Sequence, residues 1–134
     1  MSGLRIYDHS QIELPKGRYR EFDGTVFDRD GNAEPFASDD VIRFKVATAE
    51  SGGDLLLDID SVSSLSGGST IDASGYEAGT YVLKVFALDT SGLAAGNHYF
   101  EVVLVDNSNS DQPITLAKGR CLISGSMGGD VGVN

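Results

Sequence analysis

Four oxygen-bearing side chains at alternate positions, Asp28, Asp30, Asn32 and Glu34, are of the types from which a calcium ion draws its ligands. Gly31 precedes Asn32, whereas an EF-hand loop places its glycine after the third ligand; the rival reading is a hairpin or loop turn built on Asp30-Gly31. Asp58 and Asp60 lie two apart near the end of an apolar run, where a glycosidase pair or a cation site would put them; an acidic chain also decorates its loop ends this way. Cys121 sits inside an apolar stretch and reads as a small buried hydrophobe rather than a nucleophile. His9 and His98 fall in none of the usual catalytic patterns: no Gly-x-Ser-x-Gly elbow, phosphate-binding Gly-Lys-Ser/Thr loop or His-Glu-x-x-His pair occurs. The chain is therefore expected to be no enzyme and to need no cofactor.

Other residues suit binding better than catalysis. Lys16, Arg18 and Arg20 alternate, and on an extended backbone they would form a basic stripe able to dock on an acidic neighbour, a second copy included, or simply a solvated face. If Phe100, Val102 and Leu104 point into a core, Tyr99, Val103 and Val105 face outward beside Glu101; if Leu83, Val85 and Ala87 point inward, Val82 and Phe86 face outward with Lys84. An apolar outer face expects a partner, or cover from the N-terminal segment.

The elements that must carry these residues are strands. Residues 41–49 place Ile42, Phe44 and Val46 on one face and Arg43 and Lys45 on the other, as a half-buried strand requires. Residues 81–88 and 97–106 are the strongest β runs, rich in β-branched and aromatic side chains. Residues 114–123 form another, expected to bulge or bend near Gly119. Shorter runs at 22–27, 55–59 and 70–73 bring the number to about seven, with turn chemistry between them, which predicts a β-sandwich. The one helical hint is 89–96, where Asp89 or Thr90 can cap a single turn that Gly96 ends.

Composition agrees. The chain has 134 residues, 40% hydrophobic and 22% charged, with 17 glycines and no tryptophan, as expected for one turn-rich globular domain. Its formal charge is −10, the wrong sign for a protein that neutralises phosphates, so nucleic acid is not an expected partner. The acidity is uneven, with net −2 over residues 1–45 and −8 over residues 46–134. No apolar run is long enough for a signal peptide or a membrane span, so no membrane partner is expected, and synthesis and retention in a cytoplasm, or release by lysis, is.

Both ends depart from the strand pattern. Residues 1–21 hold Pro15 and Gly17 between short apolar pieces and read as an N-terminal arm with one edge strand; residues 124–134 read as a Gly-rich C-terminal arm. The sandwich proper is placed at 22–123, so deletion of either arm is expected to leave a folded domain.

The order of these pieces resembles the immunoglobulin-like β-sandwich domains of tailed-phage virion proteins. Val26-Phe27-Asp28-Arg29-Asp30-Gly31-Asn32 followed by Val41-Ile42-Arg43-Phe44-Lys45-Val46 is similar to their opening. The stretch from Thr80-Tyr81-Val82-Leu83-Lys84-Val85 through Asp89-Thr90 and Gly96 to Tyr99 resembles their centre, with Asn97-His98 lengthening the usual Gly-x-Tyr. Lys118-Gly119-Arg120-Cys121-Leu122-Ile123 resembles their last strand, and the likeness covers about residues 22–123. Such domains occur in upper-baseplate, head-fibre and decoration proteins. The resemblance implies a non-enzymatic structural protein of the virion, made in the host bacterial cytoplasm. A capsid decoration or cement protein comes first, a neck, tail or baseplate subunit second. Its implied partners are the major capsid protein or tail and neck subunits, and further copies of itself in a homo-oligomer. A glycan- or cell-surface-binding module resting on Tyr76 or Tyr99 is the alternative from a different class.

Overall fold

The computed structural model describes residues 4–8, 10–106 and 109–125. His9 and nearly all of the expected C-terminal arm, 126–134, lie outside the described residues. Among the described residues there are eight strands, β1 (Gln11–Pro15), β2 (Arg20–Thr25), β3 (Val41–Ala47), β4 (Leu55–Asp60), β5 (Thr70–Asp72), β6 (Thr80–Val85), β7 (Gly96–Asp106) and β8 (Asn109–Ser124), with one α-helical turn, α1 (Ala87–Thr90), and a 3-10 turn at Tyr76–Ala78. A five-stranded sheet runs β1-β8-β7-β3-β4 and a three-stranded sheet runs β2-β6-β5. The protein is an all-β sandwich, and no helix among the described residues is long and apolar enough to cross a membrane.

Period-two alternation explains how the sheets meet. Along β3, Ile42, Phe44 and Val46 are fully buried while Val41, Arg43, Lys45 and Ala47 are only partly covered. Leu83 and Val85 of β6 face them from the smaller sheet's side of the core, and Phe44 stacks on Phe100 of β7 at 6.1 Å between centroids. Each strand thus contributes one apolar face to a shared interior, whose burial is the main favourable term in folding. Cys121 is wholly enclosed there, and burial pushes its thiol up to about 12, which keeps it protonated and unreactive.

The N-terminal stretch holds the expected edge strand, β1, but packs into the body of the fold and not as an arm. Ile6 N–H donates to the Asp23 carbonyl and Asp23 N–H donates to that of Leu4, both at 3.0 Å, so the chain first pairs along β2. A turn held by the Ser10 hydroxyl, which donates to the Tyr7 carbonyl at 2.7 Å, then carries it to the other sheet. There β1 pairs with β8 in parallel, Gln11 opposite Arg120 through Pro15 opposite Ser124. Ile6, Ile12 and Leu14 are all buried in the common core. Residues 4–8 and 10–21 therefore belong to the sandwich, and the boundary expected at 22 falls inside β2. The segment lines the edges of both sheets rather than covering their outer faces.

Two further differences are local. The β7·β8 ladder is regular at Gly119, opposite Phe100; the register shifts where Val102 pairs with Ala117 and Val103 with Thr115, so the bulge is at Leu116. Gly119 serves the sheet crossing instead, because the Ser10 carbonyl packs where its side chain would be and accepts from Arg120 N–H at 3.1 Å. The helical turn begins at Ala87, earlier than expected and directly after β6, so Ala87 leaves the strand pattern and is half-buried. Asp89 does not cap that turn.

Candidate functional site

The three basic residues Lys16, Arg18 and Arg20 are gathered by a turn, not by an extended strand. Pro15 closes β1, and Gly17 takes a left-handed φ of 71°, which glycine adopts without strain. Gly17 N–H donates to the buried Thr90 hydroxyl at 3.1 Å, tying this turn to α1. Arg18 is exposed, and Lys16 and Arg20 are half-buried. Between the two arginines, the Tyr19 ring meets Phe86 edge-on at 4.9 Å, a geometry aromatic pairs favour. Tyr19 is 44% exposed, Phe86 36% and the neighbouring Leu88 76%. Burial, with Glu21 accepting the Tyr19 hydroxyl at 2.6 Å, pushes that phenol up to about 12.

This end of the sandwich is braced from the opposite loop. The Asp89 carboxylate accepts from Gly67 N–H at 2.9 Å and Ser69 N–H at 3.0 Å, and the buried Ser69 hydroxyl accepts from Phe86 N–H at 2.8 Å. Burial alone would raise the Asp89 carboxyl, but the hydrogen bonds from Ser69 and Gly67 outweigh it and hold the group below its usual 3.8. A lowered folded value means stability that is present above the unfolded value and lost as pH falls through the folded one. Asp89→Ala should therefore lower stability by about 2 kcal/mol at neutral pH. The gap to wild type should narrow below pH 3.8, as urea midpoints at pH 7 and in acid would show.

The result is an exposed apolar platform, the Tyr19–Phe86 ring pair with Leu88 exposed two residues further on, next in the chain to Arg18 on a protein of net charge −10; Arg20, opposite Val85, starts on the core-facing side of β2. The platform offers aromatic area with few rotamers to freeze, and a guanidinium group suited to carboxylates. Of the expected contact residues it unites Lys16, Arg18, Arg20 and Phe86. Tyr19 and Leu88 were not among the expected contact residues, although an aromatic between two arginines is a visible signal.

The other expected residues lie elsewhere. Val82 is half-buried on the outer face of the smaller sheet, between Asp23 and Asp72. Val103 and Val105 are on β7 in the larger sheet, and Val103 is 5% exposed rather than presented for contact. It belongs to a central strand with Arg43 and Thr115 as cross-strand neighbours, and long side chains cover such a position with their stems. Tyr76 packs edge-on against Phe36 at 6.4 Å, whereas Tyr99 lines a cleft of about 190 Å³ on the larger sheet with Lys45, Glu101 and Lys118. The structure does not bring the two tyrosines together.

The carboxylate candidates are occupied by local structure. Asp28 Oδ1 accepts from Asp30 and Asn32 N–H at 2.9 and 3.0 Å, and Phe27 bridges to Ala33, so 28–34 forms the turn alternative. Among the described residues, no three His, Cys, Asp or Glu gather as they would around a metal ion. Asp58 pairs with Arg43 Nε at 2.9 Å. Asp60 is partly desolvated, yet hydrogen bonds from Ser63 and Val62 hold its carboxyl below the usual range. That is the opposite of the raised value a general acid needs.

No protein-family model matches the chain, and no curated protein matches it in sequence. The fold defines a class, a two-sheet all-β sandwich whose N-terminal segment contributes to both sheets.

Proposed function

We propose that this chain is a non-enzymatic structural protein of a tailed bacteriophage particle, carried in the virion as a capsid decoration or cement protein. The observation that carries the reading is the strand order. Sheets β2-β6-β5 and β4-β3-β7-β8, with the first strand passing from β2 to the edge of β8, match the B-E-D and C′-C-F-G order of an immunoglobulin-like sandwich. That topology supports the resemblance of residues 22–123 to phage immunoglobulin-like domains. The basic aromatic platform supports an attaching role, since many weak contacts over a shell add by multivalency.

The test is the composition of gradient-purified particles from a lysate in which the gene is expressed during phage growth. The chain should be present in fixed ratio to the major capsid protein, and particles made without the gene should lose surface density at the head. Absence from washed particles overturns the reading. Density lost at the neck, tail or baseplate instead retains a virion protein but overturns the capsid assignment.

A further inference from the structure

The two ends of the sandwich are complementary. The platform lies where β2 begins and β6 ends. Where β2 finishes, Phe27, Pro35 and Ile114 line an open cleft of about 430 Å³ with Glu34, Asp40 and Asp106. Phe27 is 56% exposed and Ile114 54%. Asp28, Asp30 and Asp39 lie in the same group of loops, against one cation, Arg29. At the platform end Glu21 accepts from Tyr19 and Asp89 from the 67–69 backbone, as Asp28 and Asp40 accept from backbone N–H groups at the cleft end; the ends differ in the balance of charge, two acids near Lys16, Arg18 and Arg20 against a run of acids near Arg29 alone. Strand β2, six residues long, separates the ends by about 20 Å, so within one molecule the surfaces cannot meet.

We infer that the cleft end accepts the platform end of a second copy, with Tyr19, Phe86 and Leu88 against Phe27, Pro35 and Ile114, and the exposed Arg18 facing the acidic loops. Apolar area sits opposite apolar area and the cation meets the opposite sign, the arrangement that steers association and fixes register. The contact is heterologous, so each pair leaves one platform and one cleft open, and copies add head to tail into a ring or a row. This rests on the reading of the platform as an attachment surface and names its partner.

The experiment is sedimentation velocity on the purified full chain over a concentration series at low and high salt. Mass should rise with concentration, and association should weaken about tenfold at high salt, where surface charges are screened. Two variants at exposed positions separate the ends without making the altered ends complementary to each other: Arg18→Ser with Leu88→Ser for the platform, Glu34→Lys with Ile114→Lys for the cleft. Each alone should remain monomeric, while their mixture should form pairs and stop there, because one intact platform meets one intact cleft. A wild-type chain that is monomeric throughout, a single variant that still associates, or a mixture that does not pair overturns the inference. Should a double variant lose its melting transition, Arg18→Ala replaces it and must still weaken association. The measurement needs no particle, so its failure leaves the virion reading to its own test.

Discussion

Removal of residues 1–21 is expected to yield a chain with no cooperative melting transition. The deletion strips Ile6, Ile12 and Leu14 from the core and leaves β8 unpaired along its edge. Loss of one buried Leu or Ile side chain costs about 2–5 kcal/mol. Three such losses together rival the whole stability of an ordinary domain, about 5–15 kcal/mol. The truncation also removes the first two residues of β2, which begins at Arg20. Leu14→Ala alone, at a site 1% exposed, should cost about 3 kcal/mol and still fold. Circular dichroism melts of the two proteins decide the matter: a truncated chain melting within a few degrees of wild type would mean that the first strand is an arm after all.

Gly119→Ala should destabilise the protein by about 3 kcal/mol, lowering the melting temperature by roughly 10 °C. A Cβ at this position would be driven into the Ser10 carbonyl oxygen and would stand 2.9 Å from the Phe100 ring. The obstruction on one side is backbone, so it cannot rotate away; the crossing segment must lift, and the Arg120 N–H bond to Ser10 at 3.1 Å goes with it. Gly92→Ala is the matched control, since a methyl there meets nothing within 4 Å, and it should leave the melting temperature within about 2 °C, as surface changes usually do. Equal melting of the two variants would remove the argument that Gly119 exists for the crossing.

Much of the fold is legible in the sequence. The strands over 41–47 and 96–106 show in the chain because one face of each is apolar at every second residue, a pattern set by the pleat alone. The turn at 28–32 shows because Asp30-Gly31 and an Asp two residues earlier make the local hydrogen bonds that close it. Cys121 reads correctly as core for a similar reason, sitting in a run whose alternate residues are apolar.

Partners distant in sequence decide the remainder. Ile12, Leu14, Pro15 and Gly17 look the same in a free arm and in an edge strand; which they form depends on whether β8 offers its edge. The misplaced bulge has the same origin, since Gly119 is a backbone signal whose cause, the Ser10 carbonyl, lies across the sheet. The platform is hidden for a like reason, because Tyr19 and Phe86 become neighbours only when β2 pairs with β6 and Gly17 is fastened to Thr90. Composition set the net charge of −10 and the all-β character, because charge adds residue by residue and alternation is local. Which charges share an end of the sandwich was set by strand direction and sheet order, because those place residues from separate parts of the chain side by side.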